Sequence, residues 1–495
     1  MKTSHVLKTI PLAALAVLLL MPAARAGASA SQVTLMQDDT QLLFTSDERR
    51  IKTLDEMKAL GADVVKFRLD WASVAPSPNK KTKPKGFVGD DPADYNPAVW
   101  GVYDRTVSAI LDRGMKPYLL LGGRAPRWAS GKTRVTRPGA GEYRNFVQAV
   151  GTRYSGTYSK DPLNPLGSRL PRVTIFSFWN EVNLKFWLAP QWVHGTPVSP
   201  KIYRGLVRAG HQGLVNSGHG GDDMFLGELL PFARSGEEGH EKVRPIEFLR
   251  ELACVDSKYH PYKGKAAKQR GCTGYKKLPG TGIAYHPYTL PGGPDVRVPN
   301  KDDASVAQLD RVVSALDKLG RANRIAKGMP IWGTEFGYQT DPPDQFQTPI
   351  KKVPGFLGEA EWFSYRNPRV ASYAQYPLID DKLTDGGSGF QSGLRTHDRK
   401  KKAKVYEAFQ RPLYVDLRTS KVVEVFGGVR TASPGQKVRI DSKLKGERWK
   451  KLGTATLGPQ GYFDRVFQVS KAKDRHYRFK LGKARSRVAT AHERR

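Results

Sequence analysis

Eight short apolar runs recur along the chain, and most of them are followed by a segment in which apolar residues have helical spacing. Runs of this length that are rich in β-branched and aromatic residues are typical of buried parallel strands. The eight runs lie near residues 33–36, 63–69, 115–121, 173–179, 223–229, 281–286, 329–334 and 370–376. Because strands alternate with helices, the pattern predicts a parallel α/β architecture.

The segments between the runs predict amphipathic helices. Their ranges are 55–60, 102–111, 143–154, 202–215 and 306–319. In the last of them, Val306, Leu309, Val312 and Leu316 fall on one helical face. Eight strand–helix units over about 380 residues favour a closed (β/α)8 TIM barrel over an open sheet.

The pattern changes after Tyr414, where short segments alternate apolar and polar residues between Gly, Pro and Lys. This alternation predicts a small C-terminal all-β, sandwich-like domain. The boundaries that we predict are a signal peptide at 1–26, the barrel at 27–412, the β-rich domain at 413–482 and a basic, disordered tail at 483–495.

Three aromatic residues of the β-rich domain have two possible roles. They are Trp449, Tyr462 and Phe463. They could stack on sugar rings in a carbohydrate-binding module, or they could fill the core of the domain, which is the commoner role for such residues.

The N-terminal residues have the three parts of a secretory signal peptide. A positively charged start precedes an apolar run over 10–21, and a small-x-small cleavage site follows at 24–26. The run is shorter than the roughly 20 residues that a membrane-spanning helix needs, and Pro22 ends it. We therefore expect a secreted protein without a transmembrane segment, whose mature chain begins near Gly27; an uncleaved anchor is the alternative.

The chain has two cysteines, Cys254 and Cys272, in a Lys-rich segment. In an exported protein such a pair predicts one disulfide, and two unrelated thiols are the alternative. A zinc site needs more ligands than this pair supplies. We expect a structural disulfide and no metal at these residues.

Lys and Arg total 81 and Asp and Glu total 47, which gives a formal net charge of +34. So high a charge suggests an anionic neighbour such as nucleic acid, a membrane surface or an acidic wall polymer. The basic clusters lie at 80–85, 263–270, 399–404, 443–451 and from 483 onward. They are either solvated faces, or a means of retention on an anionic cell wall or of binding an acidic polysaccharide. Without a groove-reading or base-stacking pattern beside them, we expect no nucleic-acid partner.

Reacting groups of a TIM barrel lie at the carboxyl ends of its strands. Four predicted strands end in groups suited to sugar chemistry, which are Arg68 and Trp71 after strand two, Asn180 and Glu181 after strand four, His286 and Tyr288 after strand six, and Glu335 after strand seven. Each alone has a plainer explanation as a solvated loop residue, a structural histidine or a core aromatic. Their conjunction at four strand ends favours a site.

The two glutamates, Glu181 and Glu335, would lie on opposite sides of the barrel mouth. Glycoside cleavage needs two such carboxyls, one to protonate the leaving oxygen and one to attack the anomeric carbon or activate water. We expect Arg68, His286 and Tyr288 to keep the nucleophilic carboxylate ionised. Glu181, beside aromatic residues, would keep its proton longer and act as the acid.

The motifs W-N-E-x-N, A-Y-H-P-Y and G-T-E-F-G resemble the acid/base, sixth-strand and nucleophile motifs of the large retaining glycoside hydrolase superfamily, over residues 45–410. The resemblance implies a TIM barrel with Glu181 as the acid/base, Asn180 as its sugar-contacting neighbour and Glu335 as the nucleophile. The residues that it implies as supports of the nucleophile are Arg68, His286 and Tyr288.

Within that superfamily, F-W-N-E-V-N-L-K-F-W is similar to the β-xylosidase and α-iduronidase family, and the cellulase-type family is nearly as close. Val182 stands where many members have Pro, and Tyr376 stands at the end of strand eight where Trp is usual as a sugar platform. The stretch G-G-R-A-P-R-W replaces a His that is usual after the third strand of the cellulase group. The resemblance therefore implies the superfamily and leaves the family open.

The sequence thus predicts a secreted retaining hydrolase that cleaves O-glycosidic bonds of a plant or microbial polysaccharide or oligosaccharide. We expect these bonds to be β-linked. The substrate-binding residues that we predict are Arg68, Trp71, Asn180, His286, Tyr288 and Tyr376. A catalytically silent carbohydrate-binding or wall-associated barrel is the alternative, since fold does not guarantee activity. Transglycosylation by the same residues also stays open. The chemistry needs no metal or organic cofactor, and we expect none.

Overall fold

The computed structural model describes residues 29–492 except 162, 165, 235, 238, 346 and 385–388. The predicted signal peptide at 1–26 lies outside the described residues. Within them, eight parallel strands, β1–β8, close into a barrel in which neighbours in sequence are neighbours in space. The strands are Val33–Gln37, Val64–Leu69, Lys116–Leu121, Ile175–Phe178, Asp223–Leu229, Gly282–Tyr285, Ile331–Gly333 and Val370–Gln375. The predicted TIM barrel is confirmed, and each predicted apolar run coincides with one of its strands.

Eleven α-helices, α1–α11, occur in the described part of the chain. They are Asp39–Leu43, Asp47–Ala59, Trp71–Val74, Pro97–Leu111, Ala140–Arg153, Ser199–Asn216, Pro245–Leu252, Gly264–Gln269, Leu309–Arg321, Val353–Tyr365 and Ala403–Gln410. Short 3₁₀ turns lie at Pro92–Asp94, Arg127–Ala129, Val306–Gln308 and Ala472–Asp474. Two short strand pairs lie in barrel loops. Trp192–Val193 pairs with Thr196–Pro197 in antiparallel orientation, and Thr340–Asp341 pairs with Thr348–Pro349 in parallel orientation.

Local sequence signals explain where the helices begin. The Asn96 side chain accepts hydrogen bonds from the first backbone N–H groups of α4, and Pro97 occupies the first helical position. Both features are favourable at a helix start, because the amide that Pro lacks would have no intrahelical partner there. Helix α9 buries Leu309, Val312 and Leu316 against the barrel, as the spacing predicts.

The C-terminal region is an all-β domain, as predicted. Its strands, β9–β16, are Leu413–Thr419, Val422–Gly428, Lys437–Leu444, Lys450–Thr456, Tyr462–Gln468, Arg475–Leu481, Ala484–Arg485 and Ala489–Thr490. One antiparallel sheet has the order β9-β10-β13, and the second has the order β12-β11-β14-β15 with β16 paired to β14. Apolar residues of the two sheets form one core, which places this region in the sandwich-like class.

The aromatic residues of this domain take structural positions. Tyr462 and Phe463 are buried, so both belong to the core rather than to an exposed sugar platform. Trp449 lies beneath two cations: the Arg478 guanidinium is 4.0 Å and the Lys443 Nζ is 5.3 Å from its ring centroid. Trp449 therefore makes cation–π contacts within its own domain.

The tail differs from the expectation of disorder over 483–495. Residues up to His492 are ordered, because β15 and β16 both pair with β14. His492 donates its backbone N–H to the Val415 carbonyl and accepts from Leu417 through its own carbonyl. Basic composition describes the side chains, whereas the order of this segment comes from backbone hydrogen bonds to strand edges.

Cys254 and Cys272 form a disulfide that joins the segment after α7 to the segment after α8. Among the described residues, no helix is both long enough and apolar enough to cross a membrane. These two observations concern only the described part of the chain.

Candidate active site

Glu181 and Glu335 lie just after the carboxyl ends of β4 and β7. The chain turns sharply after β4, where Trp179 and Glu181 have φ values of 65° and 38°. Non-glycine residues rarely adopt this left-handed conformation, so the surrounding contacts must hold it in place. One carboxylate oxygen of Glu181 and one of Glu335 lie within 4.8 Å of each other.

Glu181 has an aromatic neighbour, as expected. The indole N–H of Trp187 donates to Glu181 Oε2 at 2.9 Å, and His286 Nδ1 lies 3.1 Å from Glu181 Oε1. The carboxylate is thus oriented from two sides, while part of its surface stays open to the barrel mouth.

His286 is completely buried and touches three carboxylates. Its Nδ1 lies 3.4 Å from Glu335 Oε2 as well as close to Glu181, and its Nε2 lies 2.8 Å from Glu228 Oε2. Burial by itself would lower the pKa of His286, but the charge of Glu335 and the hydrogen bonds to Glu181 and Glu228 outweigh burial and raise the pKa to about 9. The ring is therefore an imidazolium at neutral pH and donates from both nitrogens.

A layer of polar side chains fills the barrel beneath the two glutamates. We call it the barrel polar cluster, and it consists of Lys66, Tyr118, Ser177, Glu228, His286 and Thr334. Each of the strands β2–β7 supplies one of these residues, from within the strand or directly after it. Glu228 is the centre, because the other five all donate hydrogen bonds to its carboxylate.

Lys66 links this cluster to the nucleophile candidate. Its Nζ is fully buried and lies 2.7 Å from Glu228 Oε2 and 3.4 Å from Glu335 Oε1. Burial would lower the pKa of Lys66, but the charges of Glu228 and Glu335 raise it above its ordinary value. Burial would likewise raise the pKa of Glu228, yet Lys66 and His286 hold it well below its usual range. Both groups are therefore charged at neutral pH.

Sequence reasoning missed both Lys66 and Glu228. The signal was present, since each is a charged residue inside a run otherwise suited to a buried strand. Glu228 escaped because β5 contains a bulge: the pairing with β6 shifts register between Gly227 and Leu229, and Glu228 is the extra residue, with a φ of 59°. A bulge redirects a side chain in a way that simple alternation does not predict.

The environment of Glu335 combines opposing influences. Tyr288 donates its hydroxyl to Glu335 Oε2 at 3.3 Å, and the carboxylate is almost fully buried. Burial raises the pKa of Glu335, His286 and Lys66 lower it, and the carboxylates of Glu181 and Glu228 raise it again, so that it lies above its ordinary value. The expected cationic support exists, but it offsets burial only in part.

Arg68 is not the cation that supports Glu335. Among the described residues, no hydrogen bond or ion pair joins the two side chains. The Arg68 guanidinium instead packs on Trp187, 5.0 Å from the ring centroid, and the pKa of Arg68, which burial lowers, is raised by the charges of Asp39 and Asp70. The role that we expected of Arg68 belongs to Lys66, two residues earlier on the same face of β2.

Trp71 does not line the site either, which corrects the prediction that it binds substrate. Its side chain is fully buried, stacked on Phe146 at 5.4 Å and packed against Tyr143 and Trp128. Trp71 begins the short helix α3, and its ring enters the aromatic core beside helix α5 rather than the barrel mouth.

The remaining predicted residues lie near the two glutamates. Asn180 is buried, and its Oδ1 has no hydrogen-bond partner among the described residues. Tyr376 directly follows β8, and its ring packs edge-on against Phe390 at 5.1 Å. Phe390 is 42% exposed, so it extends the aromatic surface that Tyr376 was expected to supply.

A cleft of about 470 Å³ contains both glutamates and the Tyr288 ring. Its other walls combine apolar rings with two cations, chiefly Phe232, Phe356, Phe390, Arg234 and Lys352. A smaller hollow of about 260 Å³ is lined by Arg68, Asp70, Arg124 and Arg134. Rings and charged groups around a carboxylate pair suit a ligand with both apolar faces and polar edges, such as a sugar.

Comparison with known proteins gives matches only among solved structures, because no family model and no curated protein matches the chain. A family 39 glycoside hydrolase from the gut symbiont Bacteroides cellulosilyticus WH2 is 16% identical, with a TM-score of 0.51 over 92% of this chain and 81% of that one. The chain has the fold of the (β/α)8 glycoside hydrolases. A family 1 β-glucosidase from Thermotoga maritima is 13% identical, with a TM-score of 0.43 over 73% of this chain and 84% of that one.

The mouth of this (β/α)8 barrel carries carboxyl groups suited to proton transfer and nucleophilic attack. Glu181 and Glu335 reach the same cleft, and buried cations adjoin the second of them. Glu181, His286 and Glu335 each offer an atom that could ligate a metal. The same three groups contact one another directly, since His286 Nδ1 lies 3.1 Å from Glu181 and 3.4 Å from Glu335.

Proposed function

We propose that this chain is a retaining glycoside hydrolase that cleaves β-linked O-glycosidic bonds in a polysaccharide or oligosaccharide of plant or microbial origin. The observation that carries the proposal is the pair Glu181 and Glu335, with one oxygen of each within 4.8 Å, in a cleft. Carboxyl groups of retaining enzymes are about 5–5.5 Å apart, whereas inverting enzymes need about 6.5–9.5 Å to admit a water. The short separation supports retention.

In the first step, Glu335 attacks the anomeric carbon while Glu181 donates a proton to the leaving oxygen, which gives a glycosyl ester of Glu335. In the second step, Glu181 takes a proton from water, and the water oxygen displaces Glu335 and releases the sugar with its original configuration. Tyr288 and Lys66 both contact Glu335 and orient its carboxylate. They also stabilise its negative charge before the attack and after release of the sugar. Asn180, with its unpaired Oδ1, is available to a sugar hydroxyl.

His286 bridges the two glutamates, because its Nδ1 lies 3.1 Å from Glu181 and 3.4 Å from Glu335. While Glu335 is charged, the imidazolium is shared between two carboxylates. When Glu335 becomes an ester, that carboxylate loses its charge and the imidazolium faces Glu181 alone. Glu181, the acid of the first step, acts as the base of the second.

Hydrolysis of a panel of aryl β-glycosides tests the proposal, with the mature protein, the variant Glu335→Gln and the matched control Glu241→Gln. Glu241 is an exposed glutamate paired with Lys185, so its variant should keep the wild-type rate. Glu335→Gln should lower kcat by at least about a thousandfold, as loss of a nucleophile does. A Glu335→Gln variant of wild-type activity, or release of the inverted anomer by the wild type, would overturn the mechanism.

Leaving-group dependence tests Glu181 separately. A glycoside with a highly acidic aryl leaving group needs no protonation, so Glu181→Gln should still form the glycosyl ester. Its hydrolysis then lacks a base, and a burst of aryl release equal to the enzyme concentration should precede slow turnover. Turnover of Glu181→Gln at the wild-type steady rate would remove Glu181 from the acid/base role.

A silent carbohydrate-binding barrel is the second candidate. Such a protein has no need of buried cations against a cleft carboxylate, which cost free energy to desolvate. Binding of a polysaccharide without hydrolysis of any glycoside or polysaccharide tested would favour it over the enzyme.

We also propose that the chain is exported and is retained on an anionic wall polymer through its basic clusters. The disulfide and the net charge of +34 support this, since disulfides persist in oxidising compartments and charge attracts acidic polymers. Washing whole cells with concentrated salt should release the protein. Release at low salt, or retention at high salt, would show that charge does not hold it.

A further inference from the structure

The last described residue of the chain, His492, lies against the barrel domain. Its backbone is fixed from both sides, by the Val415 carbonyl and the Leu417 N–H of β9. Its side chain reaches two carboxylates of the barrel region, Asp295 in the loop between β6 and α9 and Glu359 on helix α10. Three parts of the chain that are distant in sequence thus bring one nitrogen and two oxygens together.

The separations of these atoms are equal to or somewhat longer than the edges of a metal site, so small side-chain movements would complete one. His492 Nε2 lies 3.5 Å from Asp295 Oδ2 and 3.9 Å from Glu359 Oε1, and all three groups have a ligand atom within 4.8 Å of the others. Ligands about 2.0–2.1 Å from a tetrahedral zinc ion are about 3.4 Å apart. At 3.5 Å the contact between His492 and Asp295 is a long hydrogen bond, and the 3.9 Å between His492 and Glu359 exceeds hydrogen-bond distance.

Glu359 gives an independent reason to expect a ligand. Its side chain is only 6% exposed, and its Oε1, the atom nearest His492, has no hydrogen-bond partner among the described residues. Arg487 is a neighbouring cation, and it donates hydrogen bonds to the carbonyls of Leu413 and Val488. Two carboxyl groups this close together in a largely buried place repel each other when both are ionised, and a divalent cation between them would offset that cost.

We propose that Asp295, Glu359 and His492 bind a divalent transition-metal ion, with zinc the best fit, which fastens the end of the chain to the barrel. A nitrogen ligand with two carboxylates suits zinc better than calcium or magnesium, which prefer oxygen ligands throughout. His492 is 45% exposed, and Asp295 borders an open hollow of about 610 Å³, so water can complete the coordination. None of these three residues lines the cleft of the glutamate pair, and the proposal does not depend on the proposed hydrolysis.

Zinc chloride titration of the metal-stripped protein, purified without a histidine tag, tests the proposal by calorimetry and thermal unfolding. We expect one zinc per chain and a higher Tm with zinc, but neither with calcium nor magnesium. His492→Ala and Glu359→Gln should each weaken zinc binding by about tenfold or more. The matched control His260→Ala changes another exposed histidine and should bind zinc like the wild type.

His492→Asp separates a metal ligand from a simple ion pair. A third carboxylate beside Asp295 and Glu359 should lower Tm without metal and recover it when zinc is added, because aspartate is also a zinc ligand. An ion-pair role alone predicts the same loss with and without zinc. That outcome, absence of zinc binding by the wild type, or binding unaffected by His492→Ala and Glu359→Gln would overturn the proposal.

Discussion

Two buried ionic groups of this chain have similar burial but different surroundings. In the barrel polar cluster, Lys66 contacts Glu228 at 2.7 Å and Glu335 at 3.4 Å. Between the barrel and the β-rich domain, Arg430 contacts Glu361 at 2.6 Å, and the Tyr462 hydroxyl also donates to this carboxylate. We call Glu361, Arg430 and Tyr462 the interface cluster.

The interface cluster is closed, since all its members are buried between helix α10 and the β-rich domain. The barrel polar cluster is continued by Glu335, which borders the cleft. Burial of charge therefore does not by itself distinguish an active site from a structural contact. What distinguishes the barrel polar cluster is that its charges end at a group that a ligand can reach.

The largest effect should follow Glu228→Gln, which removes the charge at the centre of the barrel polar cluster. Lys66 would lose its main anionic partner and His286 one of its three carboxylate partners, so the pKa of His286 should fall and its bridge between Glu181 and Glu335 should weaken. We expect kcat to fall on the order of a hundredfold, as for loss of a preorganised electrostatic contact. The alkaline limb of the kcat–pH profile should move to lower pH.

Histidine NMR checks the cause of that effect, because it reports the pKa of His286 directly. A fall in kcat with an unchanged His286 pKa and an unchanged pH profile would mean that Glu228 only maintains the fold. The amide oxygen of Gln still accepts hydrogen bonds from Tyr118 and Ser177. Its NH2 group would face the donors of Lys66, His286 and Thr334, so the variant should also be less stable. The comparison of kcat is therefore made per folded molecule.

Glu361→Gln makes the corresponding change in the interface cluster. Arg430 would then be a buried cation without an anionic partner, and loss of one partner of a buried pair costs about 3–5 kcal/mol of the free energy of unfolding. Urea unfolding should detect this loss, while kcat per folded molecule stays at the wild-type value. A lowered kcat in the folded variant would show that the two clusters are coupled, which would contradict the comparison.

Most of the fold follows from local patterns in the sequence. Each barrel strand is a short run whose side chains are mostly buried on both faces. Its apolar composition therefore indicates a buried strand without knowledge of the neighbouring segments. The order of the C-terminal tail could not be predicted from local patterns. Residues 484–490 are ordered because they pair with β14, and their composition alone does not indicate that pairing.

The site was predictable only where residues follow a strand end. Glu181, His286 and Glu335 were found because parallel strands all end at one rim. Glu228 was not found, since a bulge inside β5 turns it inward. Trp71 was misassigned, because a residue just beyond a strand end can point into the barrel mouth or into the aromatic core, and the Trp71 ring packs into the core. Such choices depend on packing between distant segments.

Rising pH should weaken the barrel polar cluster through His286. The pKa of this residue is raised from 6.5 to about 9, so its contribution to stability is complete below about pH 6.5 and is lost as pH rises through 9. The loss corresponds to about 3 kcal/mol of the free energy of unfolding. Urea unfolding of the wild type and of His286→Gln across this range should show it.

The difference between those two proteins isolates His286 from other groups. Burial and neighbouring carboxylates also raise the pKa of Asp38 to about 7 and of Glu359 to about 8, and their ionisation destabilises both proteins alike as pH rises. If the difference between wild type and His286→Gln stays constant with pH, the cluster does not hold a proton on His286.

The smallest effect should come from Trp71→Phe. This variant tests whether the aromatic core around Trp71, like the interface cluster, contributes to stability without affecting kcat. Phe146 and Tyr143 pack against the indole, so the smaller ring should cost about 1–2 kcal/mol of the free energy of unfolding and leave kcat unchanged. The matched variant Trp187→Phe should behave oppositely, because it removes the hydrogen bond to Glu181 from a half-buried position. We expect it to lower kcat with little loss of stability. If Trp71→Phe lowered kcat in the folded protein, the Trp71 ring would influence the cleft. Helix α3 would then belong to the functional site and not only to the aromatic core.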